Sequence, residues 1–487
     1  MKKIIAILLL LIMTVSLFGC GNGSAGTPTG TAQISEEQYV EGVLNVGYCK
    51  VDITPDQSMP LGGLGNNKNR MHHTVRHRIY ISTTALTDTA GETVLVISVD
   101  LKLSSHTDLY RELLAEQFGV PAGNIYVVAT HTHAAPETTG GVACSQEYYD
   151  NLITYYQASI EGAMKDRRPA TMTVGSIETD SMNFVKHYTN VDSEGNLKYF
   201  GDNFGTQVLD STTKHTTDAD PTMYMVQFQR EGAKPVIWAN FRYHPHFDTT
   251  AGDKKTLSAE SMGAMRTVME QKLDCEFMYL QGACGNLNGK SRITTENKTT
   301  DSTDHGNFLA EYAIECLNNN MEPTEVTTFK ITKRMWEGPV NHDTDHLVSA
   351  ASIVQSVWTS TANFSEAVKA GGDSGIRSPY HANSIISRSK KGATVTTELN
   401  AVVISEDVAF VTSPNEPFDT LSVEMEEASP YKYSLYFGYT NGYTGYLPTA
   451  AAFEYTTYET DVSTYKAGAG EAIRDQWIEM LNELYAE

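Results

Sequence analysis

Apolar, β-rich runs alternate with amphipathic helical stretches over most of this 487-residue chain, and no other feature restricts its fold as strongly. Strand-like runs fall at Thr93–Val99, Asn124–Val128, Met223–Phe228 and Val236–Phe241, where β-branched and aromatic residues favour an extended backbone. Helical patterns cover Leu109–Phe118, Tyr148–Lys165, Ser258–Leu273, His305–Asn318 and Glu471–Tyr485. Strands interleaved with helices of this length predict an α/β fold whose mixed β-sheets are covered by helices. No repeat or linker divides the chain, so a single two-lobed domain is expected. A polar stretch, Thr359–Ser378, reads as a surface excursion. Hydrophobic residues make up 40% and charged residues 20%, as in globular rather than disordered chains. The formal charge of −23 repels a phosphate backbone, which excludes nucleic acid as an expected partner.

The first residues carry an export signature. Lys2 and Lys3 precede an apolar run from Ile4 to Phe18, short for a spanning helix and placed where a signal peptide belongs. Leu17-Phe18-Gly19-Cys20 is similar to a bacterial lipobox. Residues 1–19 are therefore expected to be a lipoprotein signal peptide, with lipid on Cys20 holding the protein to the outer face of a bacterial membrane. Residues 20–40, rich in Gly, Thr, Ser and Ala, read as a flexible tether to a domain spanning 41–487. The other cysteines, Cys49, Cys144, Cys275, Cys284 and Cys316, are odd in number and show no C-x-x-C spacing. That argues against a disulfide framework or a structural zinc finger.

Two strand ends carry histidine pairs. Asn124–Val128 runs into Ala129-Thr130-His131-Thr132-His133, and Val236–Phe241 runs into Arg242-Tyr243-His244-Pro245-His246. At i and i+2 on a strand, both side chains project to the same side of the pleat, and neutral imidazole is the commonest side-chain metal ligand. Taken singly, each pair is equally well a polar loop after a buried strand. Three further segments offer polar groups after short apolar runs. They are Gly282-Ala283-Cys284-Gly285-Asn286-Leu287-Asn288, Pro414-Asn415-Glu416, and Gly442-Tyr443-Thr444-Gly445-Tyr446, the last followed by Tyr455 and Tyr458. Two histidines and one glutamate from separate strand ends would meet the three-ligand requirement of a catalytic zinc. The combination argues for a site; no single piece does.

The order of these motifs resembles the neutral (non-lysosomal) ceramidase family, zinc-dependent amidases that cleave N-acyl sphingosine. The resemblance runs from about Gly47 to the end. It begins at Val51-Asp52-Ile53-Thr54-Pro55 and Leu61-Gly62-Gly63-Leu64-Gly65, then passes through Thr130–His133, Asn240–His244 and Gly285-Asn286-Leu287. Pro414-Asn415-Glu416 and Gly445-Tyr446 complete it. It implies Zn2+ held by His131, His244, Glu416 and Tyr446, with His133 as the acid/base group. Tyr458, or Tyr455 beside it, would be a catalytic tyrosine donating to the developing oxyanion. The expected substrate is a small-molecule or lipid amide.

Two residues depart from the family pattern. Asn288 stands in the substrate-binding position where the ceramidases have Ser. The family's basic residue after the first histidine pair has its counterpart in Lys186 or His187. The family's immunoglobulin-like C-terminal domain is not expected here. A metallo-β-lactamase-like site would need Asp and His where Ala135 and Pro136 stand, and an amidohydrolase barrel would need its histidine pair in the first strand. The other reading is a non-catalytic surface lipoprotein that binds a ligand in an inherited cleft.

Overall fold

The computed structural model of the protein describes residues 38–63, 70–104, 107–138, 146–180, 182–191, 193–194, 197–202, 213–250, 254–289 and 301–487. The expected signal peptide, Cys20, most of the tether, Leu64, Gly65 and Cys144 lie outside these residues. Residues 37–487 form one compact unit. Among the described residues, no helix is long and apolar enough to cross a membrane.

The architecture is mixed α/β. Its larger sheet runs in the order Glu276–Gln281, Val236–Phe241, Thr222–Arg230, Arg168–Glu178, Asn45–Asp52, Tyr80–Thr87, Thr93–Val99, Ile125–Ala129, and Glu322–Thr324 pairs off this path. The strand pair at each end of the order is parallel, whereas the pairs between them are antiparallel. Strands far apart in that order nevertheless touch. Ser98 Oγ donates to Tyr279 O at 2.7 Å, Tyr48 OH to Phe277 O at 3.1 Å, and Trp238 Nε1 to Thr84 Oγ1 at 3.0 Å. The sheet therefore doubles over its own face. A smaller sheet, Lys330–Pro339, Thr394–Val403, Val408–Thr412 and Tyr433–Phe437, ends in another parallel pair.

Period-two alternation sorts each strand between an inner core and a helix-covered outer face. Tyr126 and Val128 join Trp238, Leu280, Phe410 and Phe437 inside. Ile125, Val127 and Ala129 turn outward, against Leu114, Leu152 and Tyr156 of the helices Thr107–Phe118 and Gln146–Lys165. In the same way Ile237, Ala239 and Phe241 face Met262, Met265 and Leu309 of the helices Glu260–Leu273 and Ser302–Asn319. The C-terminal helix Ala469–Ala486 covers the smaller sheet through Ile473, Trp477 and Met480.

The expected surface excursion is more ordered than its composition suggests. Of the helices Asp345–Thr361, Phe364–Ala370 and Pro379–Ser389, the second lies within it and the other two flank it, all packed on a small core of Ala351, Val354, Ala367, Ala382 and Ile385. Asn363 and Ser378 accept from Glu366 N and His381 N, and these caps start the second and third helices. Such short helices carry little periodicity, which is why composition alone reads as loop.

Candidate metal centre

The segments that carry His131, His133, His244, Glu416 and Tyr446 leave the carboxyl ends of parallel-paired strands. Ile125–Ala129 leads to His131 and His133, Val236–Phe241 to His244, and Val408–Thr412 to Glu416. Tyr433–Phe437 leads to Tyr439, Tyr443 and Tyr446. Open α/β sheets place ligand sites at such ends because the chain is free there to diverge between strands.

The pleat expectation for His131 and His133 needs correction. The strand stops at Ala129, and His131 adopts φ 63, in the left-handed region. That conformation costs a non-glycine residue about 1–2 kcal/mol. Backbone bonds enforce it: Thr130 N donates to Val99 O at 2.9 Å and His131 N to Leu101 O at 3.0 Å. The two imidazoles converge because the backbone turns, not because a strand continues. Tyr439, itself at φ 52, stacks on the His131 ring at 3.9 Å between centroids.

Three nitrogen atoms meet at this point. His131 Nε2 lies 3.2 Å from His244 Nε2 and 3.1 Å from His133 Nε2. Two nitrogen ligands at tetrahedral angles on one zinc would be about 3.3–3.4 Å apart, given zinc–nitrogen distances of about 2.0–2.1 Å. Glu416 Oε1 sits 3.4 Å from His244 Nε2, and its Oε2 lies 3.8 Å from His131 Nε2. Glu416 Oε1 is buried and accepts no hydrogen bond. His131 Nδ1 is 2.7 Å from Lys102 O, and His133 Nδ1 is 3.0 Å from Gly63 O. If each Nδ1 donates to its carbonyl, both Nε2 lone pairs are left for the shared point, the tautomer that metal-ligating histidines adopt. Burial pushes His131 down to about 3 despite the opposing Glu416 charge, and it pushes His244 down to about 3 as well. His133 is lowered by burial and then by the other two rings. Neutral imidazole is the ligand form, so the donor set fits a metal ion: His131, His133 and His244 form a group able to hold one.

Glu416 and Tyr446, thirty residues apart, are register partners in the short parallel ladder of Asn415–Pro417 with Gly445–Leu447. Paired residues in a ladder project to one face. Burial, and next the Glu416 charge, raise the Tyr446 phenol above its ordinary value. Tyr458 is 39% exposed and presents its ring edge to Tyr446 at 5.9 Å. The Tyr455 side chain lies outside the described residues. Asn288 is buried at 2% exposure on the strand Leu287–Gly289, opposite Phe184. Lys186 and His187 share one carboxylate: Glu459 pairs with the Lys186 ammonium and lies 2.8 Å from His187 Nε2.

Several supports of the centre carry no signal in residue type alone. Tyr443 donates its hydroxyl to Glu416 Oε2 at 3.0 Å. Asn286 holds the Glu416 segment by exchanging two bonds with Asp419, at 2.7 and 2.9 Å. Gly285 lets the backbones meet, since a Cβ there would lie 2.6 Å from Glu416 O. Around His244, Gln281 donates to Tyr243 O and Asn183 to Arg242 O. The Gly442–Tyr446 run points toward Tyr443 without giving its partner. Nothing in residue type marks the carbonyls of Lys102 and Gly63.

Gly63 gives a sharp prediction. It sits at φ +96, and a Cβ would meet the His133 ring at 2.6 Å. Gly63→Ala should displace the ring while His131 and His244 stay in place. Misplacements near 1 Å cost on the order of 10²-fold in rate, so any turnover that His133 serves should slow by about that factor with metal content unchanged. An unchanged kcat would show that His133 is not held at this carbonyl for catalysis.

No protein-family model matches the chain, and no curated relative does either. Solved structures do. The neutral ceramidase of Pseudomonas aeruginosa superimposes with a TM-score of 0.66 at 15% identity, covering 91% of this chain and 75% of that one. A ceramidase complexed with C2 gives 0.65 at 14% identity, covering 92% and 76%. The chain has the neutral ceramidase fold.

Proposed function

We propose that this chain is a zinc-dependent hydrolase of N-acyl amides, carried to the outer face of a bacterial membrane by lipid on Cys20. The convergence of three histidine Nε2 atoms beside a buried glutamate carries this reading. The ceramidase fold supports an amide as substrate.

In this reading His131, His244 and Glu416 hold the metal, with Tyr446 beside them on the partner strand. When bound, zinc supplies Lewis acidity and lowers the pKa of water in its open position to about 7. His133 takes the proton-transfer role because it is the one residue of the three that is not fully buried, whereas His131 and His244 are 1% and 5% exposed. A proton carrier has to reach the substrate; a ligand does not. The Gly63 carbonyl fixes the His133 ring through Nδ1 and leaves Nε2 to move the proton. Tyr443 restrains Glu416, and the hydroxyl of Tyr458 is the group offered to the substrate oxygen as charge develops on it.

A panel of N-acyl amides assayed with zinc-loaded and chelated protein tests this. Hydrolysis of at least one amide by the loaded protein alone is expected. A metal-loaded protein that binds amides and cleaves none would favour the ligand-binding lipoprotein.

A further inference from the structure

The turn that carries His131 and His133 is gripped by two strips of backbone. On one side run residues 60–63. Gly62 N donates to Ala135 O and Glu137 N to Pro60 O, both at 2.9 Å, and Gly63 O faces His133 Nδ1 at 3.0 Å. On the other side run residues 254–258. Ser258 N donates to Ala134 O at 2.9 Å, and Ser258 O accepts from Thr132 Oγ1 at 2.8 Å. Neither strip belongs to one of the two larger sheets. Isolated bridges, Pro60 with Met71 and Leu61 with Pro136, flank the first, and the second has a two-residue ladder of Thr256–Leu257 with Thr74–Val75.

One side chain joins the strips. Arg70 is 6% exposed, and its guanidinium donates to Gly62 O through Nη1 and to Lys254 O through Nε at 2.6 Å. Leu61 N donates to Arg70 O at 3.0 Å, so backbone and side chain both tie Arg70 to the glycine strip. Burial pushes the guanidinium down to about 10 against the opposing charges of Glu260 and Asp248, which leaves it charged at neutral pH. A charged donor makes the stronger kind of hydrogen bond. The planar fork also reaches two acceptors at once, which an ammonium on a flexible stem does poorly. Gly63, at φ +96, has no side chain with which to fix its own carbonyl. The neighbouring carbonyl, held by Arg70, limits where that of Gly63 can point.

We propose that Arg70 is a positioning residue for His133. It fixes the Gly62-Gly63 backbone so that Gly63 O receives the Nδ1 proton and Nε2 is left facing His131 Nε2, 3.1 Å away. The consequence for rate rests on the hydrolase reading; the consequence for the ring does not.

The test uses the full zinc-loaded chain with isotope-labelled histidine, its Arg70→Ala and Arg70→Lys variants, and an amide that the parent cleaves. A ring N–H bonded to a buried carbonyl is protected from exchange with water and gives its own proton resonance. His133→Ala identifies the one that belongs to His133. In Arg70→Ala that resonance should be lost while the His131 proton, bonded to Lys102 O, remains. With it kcat should fall about 10²-fold, the scale of a misplaced reacting group. KM and zinc content should not change, and added guanidinium should restore part of kcat. Arg70→Lys keeps a charge opposite Glu260 and Asp248, so it supplies a folded variant should the alanine chain fail to fold. It should lose the same resonance and about tenfold in kcat, since one ammonium spans the two carbonyls poorly. Loss of the His131 resonance or of zinc as well would make Arg70 a support of the whole centre and overturn the assignment. An unchanged kcat on a cleaved amide would overturn it too. If the His133 resonance alone is lost although the parent cleaves no amide, the hold on the ring stands and the hydrolase reading falls. If amides are cleaved and the resonance persists in both variants, the hydrolase reading stands and Arg70 does not position His133.

Discussion

Changing His131 and His244 together to alanine should leave the protein without bound metal and lower amide hydrolysis by roughly 10³-fold or more, the scale of losing the main electrostatic and Lewis-acid contribution. The two Nε2 atoms lie 3.2 Å apart with Glu416 within 3.8 Å of both, so removing them leaves the Glu416 carboxylate and the His133 imidazole. Metal content by mass spectrometry and hydrolysis of a responsive amide are the readouts. Alanine at position 131 must also accept φ 63, so lost folding could imitate lost metal. His131→Asn is the control, because asparagine tolerates the left-handed region better. It should fold as the parent does, by its thermal transition, and still lose metal. Full metal content in the double variant would show that the ion binds elsewhere.

His133→Ala should behave differently. Turnover is expected to fall about 10²–10⁴-fold, the range for removing a positioned acid/base group, with close to a full complement of metal retained. The geometry makes this a demanding prediction, since His133 Nε2 is 3.1 Å from His131 Nε2 and belongs to the same metal-capable group. Loss of metal along with turnover would make His133 a ligand. Normal turnover on an identified amide would remove it from the chemistry altogether.

The centre is partly legible in the sequence because the strands that deliver His131, His244 and Glu416 are fully buried and strongly β-branched or aromatic. Their ends can be located within a residue or two. The imidazoles, the carboxylate and the tyrosines just beyond those ends are visible as residue types. The sharp backbone turns are not. The left-handed conformations of His131 and Tyr439 come from long-range backbone bonds, to Val99 and Leu101 and to Asn415, which leave no local signature. The pairing of Glu416 with Tyr446 is likewise a matter of register across thirty residues. Strands such as Tyr80–Thr87 and Thr394–Val403 give a weak signal because threonine and serine alternate with apolar residues in them. The helical excursion is hidden for a related reason. Its tie to the Tyr458 helix runs through Arg377 and Asp461, two ordinary surface-type residues more than eighty positions apart.

The most direct test of the central claim is a zinc titration of hydrolysis. Chelated protein would be given zinc in steps, with bound metal and amide cleavage measured on the same samples. Activity should rise from background in proportion to bound zinc and level off near one ion per chain, the stoichiometry of a single three- or four-ligand site. Full hydrolysis by verified metal-free protein, or zinc saturation with no cleavage of any amide, would contradict it.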